Sequence, residues 1–226
     1  MSTRKNQPVK KVNLSKNIEF VRGFSDEHSV KTWFEENPHA IGLAVVGKSN
    51  VGKSTLINAL FSHKIARASK TPGKTREINL FKFSFEHYET QKIHQLYLFD
   101  LPGFGYARVA KELQSEWPTL MESFFREAPP SVLLLYLQDS RLPNGSTDQQ
   151  FMSYITPYDR PSFLVFSKLD KLNQKERAQL SKEEKNLQLL YPWIMESHQV
   201  SAEENRGIDK LKDRIAHYIV SCLTRP

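Results

Sequence analysis

Short apolar runs alternate along this chain with polar loops and amphipathic stretches. Ile41–Val46 is a brief β-rich run that stops at Gly47, and Ser54–Phe61 then places Leu56, Ile57, Leu60 and Phe61 at helical spacing. Residues 62–77 are polar and basic and are broken by Pro72-Gly73, which predicts a loop. Ile78–Phe85 and Ile93–Phe99 predict two strands, with the polar His87–Lys92 between them as the turn of a hairpin. Ala110–Arg126 predicts a helix with Leu113, Trp117, Leu120, Met121, Phe124 and Phe125 as its apolar stripe, and Pro118 near its start or at a kink. Val132–Leu137 is continuously apolar, as a strand buried on both faces must be. A short helix over Asp148–Ile155, a strand over Phe163–Phe166, a charged helix over Gln174–Tyr191 and a last strand over His198–Ser201 follow. Ile208, Leu211, Ile215 and Ile219 then line one face of a C-terminal helix.

Strands alternating with helices predict a three-layer α/β fold. Its sheet should be mostly parallel and six-stranded, with helices on both faces and one antiparallel edge strand from the hairpin. In such sheets ligands gather at the carboxyl ends of the strands. The loops at 47–54, 100–106, 167–170 and 201–203 all follow strands, so they should share one rim.

Composition changes this picture in two ways. With 226 residues, 39% apolar and 25% charged, the chain can bury a sizeable core. No apolar run approaches the roughly 18 residues of a membrane span, no apolar leader follows Met1, and Cys222 is the single cysteine. A cytoplasmic protein without a disulfide framework or membrane span is therefore expected. The charge is uneven. Of the formal +7, residues 1–16 hold +5 through Arg4, Lys5, Lys10, Lys11 and Lys16, leaving +2 on the rest. Residues 1–17 read as a disordered basic tail, with contact to nucleic-acid phosphates as the rival reading, and residues 18–226 read as one domain.

Five segments carry the chemistry. Gly47-Lys48-Ser49-Asn50-Val51-Gly52-Lys53-Ser54 fits the phosphate-binding loop G-x4-G-K-[ST], with a strand before it and a helix after. Its glycines let backbone N–H groups wrap phosphate oxygens, Lys53 neutralises the β- and γ-phosphates, and the Ser54 hydroxyl suits Mg²⁺. Asp100-Leu101-Pro102-Gly103 follows a strand and fits D-x-x-G, with Asp100 toward the metal and the Gly103 N–H toward the γ-phosphate. Ser167-Lys168-Leu169-Asp170 is similar to the guanine-reading [NT]-K-x-D element. A carboxylate there accepts two hydrogen bonds from guanine, and adenine would leave it desolvated and unpaired. Val200-Ser201-Ala202 fits a supporting turn for the base. Between the first helix and the second strand, Thr71 and Thr75 are both candidates for a switch ligand to the metal.

Taken together, Gly47–Ser54, Ser69–Arg76 (S-K-T-P-G-K-T-R), Asp100–Ala107 (D-L-P-G-F-G-Y-A), Ser167–Lys171 and Gly207–Leu211 resemble the bacterial EngB-type GTPases, also called the YihA family. The resemblance spans about residues 18–224. It implies a P-loop NTPase G domain of the TRAFAC class that binds GTP and GDP with Mg²⁺. It favours Thr75 over Thr71 as the switch ligand, with Gly73, Lys74, Thr75, Arg76 and Glu77 closing on the nucleotide. Lys53, Thr75 and Gly103 become the catalytic set, and Ser54, Thr75 and Asp100 the metal set. It further implies a monomeric switch in assembly of the large ribosomal subunit, with rRNA contact, and a link to cell division and septation.

Two positions depart from the family pattern, and a third differs from many other GTPases. Ser167 stands where Thr is usual, and Lys48 where Arg is common, at a position expected to face solvent. Phe104 stands where many GTPases carry a catalytic Gln, and a phenyl ring cannot orient water, so slow intrinsic hydrolysis is expected. A K⁺ ion near Asn50, as in related G domains, is one candidate substitute for the missing charge and the ribosome itself is the other, while the alternative role of Phe104 is packing. The rival function is a P-loop scaffold for RNA or ribosome whose nucleotide is structural.

Overall fold

The computed structural model describes residues 14, 17–65, 77–87, 90–105 and 113–224, and the side chains of 113–117 are outside that description. Among the described residues the strands are β1 (Ile18–Phe24), β2 (Gly42–Gly47), β3 (Ile78–Glu86), β4 (Ile93–Asp100), β5 (Val132–Asp139), β6 (Ser162–Ser167) and β7 (Ile194–Gln199). The helices are α1 (Glu27–Glu36), α2 (Lys53–Phe61), α3 (Leu113–Glu127), α4 (Ser146–Ile155), α5 (Gln174–Leu190) and α6 (Ile208–Leu223).

The seven strands form one sheet in the order β1-β3-β4-β2-β5-β6-β7. The α/β class and the mostly parallel sheet are as the pattern predicts, but there are seven strands rather than six. The extra one is β1, which pairs antiparallel with β3. Since β3 is also antiparallel to β4, the antiparallel strand lies one place in from the edge. Every residue of β2, and of β5 up to Gln138, is buried, which explains their unbroken apolar runs. The last strand is Ile194–Gln199 instead of His198–Ser201. Beyond it, Ser201 and Arg206 exchange two backbone hydrogen bonds that close a turn.

The core divides by face. Residues of α1, α3, α4 and α5 pack on one side of the sheet, and those of α2 and α6 on the other. On the first side Trp33 of α1 meets Phe24, Phe34, Tyr97 and Phe99 at ring separations of 4.9–6.2 Å. The start of α1 is held by Asp26, whose carboxylate accepts from the Ser29 N–H at 2.8 Å. The end of α3 is held from outside: the Arg160 guanidinium donates to the carbonyls of Phe125, Arg126 and Ala128. On the second side Leu14 is fully buried, and the Asn17 carbonyl accepts from Ser84 N–H. Packing therefore reaches upstream of the expected boundary at residue 18. Residues 1–13, 15 and 16 of the basic tail lie outside the described residues.

The chain leaves β2 for β3 and β4 on one side, then crosses to β5 on the other. The carboxyl end of β2 is thus the switch point at which open α/β sheets form their ligand crevice.

Candidate active site

At that switch point β2 ends on Gly47 and α2 begins at Lys53. The loop between them turns through Asn50 at φ 64° and Gly52 at φ 106°, which also caps the helix. A left-handed residue costs least as glycine, which is why the second glycine of the motif is here. The first turn of α2 then aims free N–H groups at the rim, a ready anion site.

The other predicted loops close on this one. Lys53 Nζ forms a short ion pair with the Asp100 carboxylate at the end of β4. Past Asp100, the Phe104 N–H donates to the Gly47 carbonyl at 3.3 Å, and the Ser49 N–H donates to the Phe104 carbonyl at 3.0 Å. Gly103 lies so close that a Cβ there would stand 3.3 Å from both Gly47 O and Ser49 Oγ. From the opposite side, the Ser167 hydroxyl donates to the Val51 carbonyl at 2.6 Å, and Lys168 Nζ donates to the Asn50 carbonyl at 2.7 Å. Asp170 Oδ1 accepts from the Ser201 hydroxyl at 2.6 Å, and its other oxygen pairs with Lys171 at 3.0 Å. The Ser201 hydrogen bond, then Lys171, hold the Asp170 carboxyl below its usual range. The four loops share one rim, as their positions after strands predict.

Within these motifs the side chains divide labour. Val51, Leu101, Leu169 and Val200 are buried in the two cores, so they anchor the loops and leave only backbone at the rim. Pro102 is likewise buried, and Ala202 packs against the core beside Ser201. Lys48 is not solvent-facing as expected: it is half-buried, and its stem lies along Gly105. Glu77, one residue before β3, is exposed with its carboxylate over Gly23 of β1, a strand separated from β2 by β3 and β4. Gly73, Lys74, Thr75 and Arg76, and with them Thr71, lie outside the described residues. Phe104 is buried, stacked on Phe151 of α4 at 4.2 Å and 6°.

Two acidic residues near the rim carry no expected role in the sequence reading. Asp139 closes β5, where its carboxylate binds both Lys168 and Arg141. Burial would raise this carboxyl, but the hydrogen bonds from Arg141 and Lys168 outweigh it and bring it down to about 2. Asp148 is buried under the rim, where it accepts from Tyr136 at 2.9 Å, and burial raises its carboxyl above the usual range. A signal for Asp139 existed: like Asp100, it ends an apolar parallel strand at the ligand rim.

As donors, the Ser54 hydroxyl and the Asp100 carboxylate are hard oxygens, and Asp100 reaches the residue adjoining Ser54. Two such groups, completed by phosphate and water, fit Mg²⁺. No group of three or more His, Cys, Asp or Glu able to hold a metal occurs among the described residues, and none of their helices is long and apolar enough to cross a membrane.

Comparison with known proteins agrees with this geometry. A family model described as a 50S ribosome-binding GTPase matches residues 42–168. A probable GTP-binding protein EngB of Prosthecochloris aestuarii is 38% identical over 177 residues, which cover 78% of this chain and 86% of the relative. Another, from Mycoplasmopsis synoviae, is 36% identical over 200 residues, 88% of this chain and 97% of the relative. Among solved structures, Era in complex with MgGDPNP and nucleotides 1506–1542 of 16S ribosomal RNA has a TM-score of 0.62 at 26% identity, over 79% of this chain and 56% of that one. The crystal structure of a probable GTP-binding protein engB has a TM-score of 0.58 at 20% identity, over 80% and 99%, a likeness of fold.

Proposed function

The chain belongs to the EngB family of GTP-binding proteins and is a GTPase, and from that premise we propose that it works as a Mg²⁺-dependent switch in assembly of the large ribosomal subunit. The observation that carries the nucleotide half of this reading is the convergence on one loop. Lys53 touches Asp100 while Ser167 and Lys168 touch Val51 and Asn50. Phosphate, metal and base would thus be held by parts that already touch.

In this reading the Gly47–Ser54 backbone and Lys53 take the phosphates. Ser54, Asp100 and Thr75 would hold Mg²⁺, which would supply neutralisation of the phosphate charge. Lys53 then exchanges its Asp100 partner for phosphate oxygens. The Gly103 N–H reports the γ-phosphate, Gly73–Glu77 close over it, and Asp170 reads guanine with Ser201 behind it. Hydrolysis is slow because Phe104 offers no hydrogen bond to water, and either K⁺ beside Asn50 or the ribosomal partner would supply the missing positive charge.

The ribosomal half is supported by the description of the matching family, by Era's rRNA complex, and by the +5 on residues 1–16. The protein is taken as a cytoplasmic monomer. Its effect on division and septation would follow from a shortage of large subunits. The test is sedimentation with purified ribosomal subunits, loaded with a non-hydrolysable GTP analogue or GDP, over rising salt, because tail-driven binding weakens steeply with salt. Large-subunit binding that needs the GTP form and survives moderate salt is expected. Equal pelleting in both states overturns the switch and favours the scaffold reading.

A further inference from the structure

The guanine loop contains a mechanical problem that the chain solves outside its own motif. Lysine carries a compact charge on a flexible four-carbon stem, which costs rotamer entropy to hold flat against a base. Here the stem is pinned at both ends. Its backbone sits in the left-handed region at φ 60°, at the turn out of β6. Its ammonium is fixed by two acceptors, the Asn50 carbonyl at 2.7 Å and Asp139 Oδ2 at 2.9 Å.

Asp139 is built for that task. It stands opposite Ser167 in the β5–β6 register, and the Ser140 N–H donates to the Ser167 carbonyl at 3.0 Å. Strand pairing therefore sets its height relative to Lys168. The carboxylate is fixed on its far side by Arg141, whose Nε and backbone N–H reach Oδ1 at 2.9 and 3.1 Å and whose Nη2 reaches Oδ2 at 2.7 Å. Ser167 completes the frame: its one hydroxyl proton is shared between the Val51 carbonyl at 2.6 Å and the more distant Gln138 carbonyl at 3.1 Å. The end of β5, the P-loop and the guanine loop are thereby tied into one cradle.

We propose that Asp139 is a positioning residue of the nucleotide site, acting through Lys168 to hold the lysine stem against the guanine base. The inference rests on the guanine-site reading above. It assigns to the end of β5 a share of guanine affinity that none of the nucleotide motifs contains. Because the base is common to both ligands, GDP and GTP are affected alike.

Release of a fluorescent GDP from the full chain tests this, with wild type compared to Asp139→Asn, Asp139→Glu, Lys168→Met and the double variant Asp139→Asn/Lys168→Met. Thermal unfolding without nucleotide is the control for folding. Asp139→Asn keeps the shape and removes the charge, and release is expected to quicken about tenfold, the equivalent of about 1.4 kcal/mol. Asp139→Glu, which restores the charge, should recover part of the loss. On the Lys168→Met background the same change should alter release by less than about twofold, because its route of action is gone. A full effect on that background, or none on wild type, overturns the role of Asp139 and leaves the guanine site standing. If Lys168→Met releases GDP no faster than wild type, the guanine-site reading fails, and the proposal with it.

Discussion

Phe104 occupies the position after Gly103 and points away from the chemistry, into the aromatic cluster around Phe151 and Tyr136. Its backbone does the local work, with one hydrogen bond given to the P-loop and one received from it. A residue held in this way can fix Gly103 but cannot activate water, so the charge that speeds hydrolysis has to come from beyond this side chain. Single-turnover GTP hydrolysis is expected to run faster in K⁺ than in Na⁺ at equal ionic strength. Equal rates would remove the cation from the reading and leave the partner as the source of rate enhancement. The sequence showed that Phe104 was not Gln. That the ring stacks on α4 was not legible, because the partner lies 47 positions along the chain and no local pattern connects them.

Among the elements, β7 and α6 hold a histidine under tension. His198 is buried on β7 against Phe163, facing Glu196 at 3.3 Å, with Arg214 and Lys210 contributed by α6. Burial lowers its pKa below the ordinary 6.5, and the attraction of Glu196 only partly offsets this. The unfolded chain then binds more protons than the folded one just below pH 6.5, so stability holds above that value and falls as pH drops through the lowered folded value. Urea unfolding should show wild type less stable at pH 5.5 than at 7.5. His198→Gln should shrink that difference, and an unchanged difference would show that the titration lies elsewhere. The polar run Glu196–Gln199 also explains why this strand was expected too late: its two faces give no alternation until Val200. The same holds at the other edge. β1 carries Glu19 and Arg22 and exposes Phe20 and Val21, so it lacks a readable period. Helix α1 buries only Val30, Trp33 and Phe34, yet its Asp26 cap and their i, i+3, i+4 spacing were legible in principle.

For the molecule as a whole, the central strands and the rim were legible because burial on both faces and phosphate chemistry each demand narrow residue choices. The edges were not, because half-exposed strands tolerate almost anything. Leu14 belongs to that second class: it shares a basic segment with Val9 and Val12 in no readable period, yet is fully buried in the core on the α2 and α6 side of the sheet. Leu14→Ala should lower the unfolding free energy by about 3 kcal/mol, as deletion of a buried leucine does. Removal of residues 1–12 should leave thermal stability unchanged while flattening the salt dependence of ribosome binding. A large loss of stability on that truncation would assign the basic segment to the fold rather than to a partner.

The hydrogen bonds from Ser167 and Lys168 to the P-loop have a consequence for how the molecule measures its ligand. On the proposed reading they would fix the base-reading end and the phosphate-reading end at one separation, making the site a chelator with two weak arms. A nucleotide engages both arms for a single loss of translational freedom, since binding at one end raises the effective concentration at the other. Guanosine or pyrophosphate alone spans only one arm and forfeits that advantage. A cradle of this kind would select for length as well as for chemical identity.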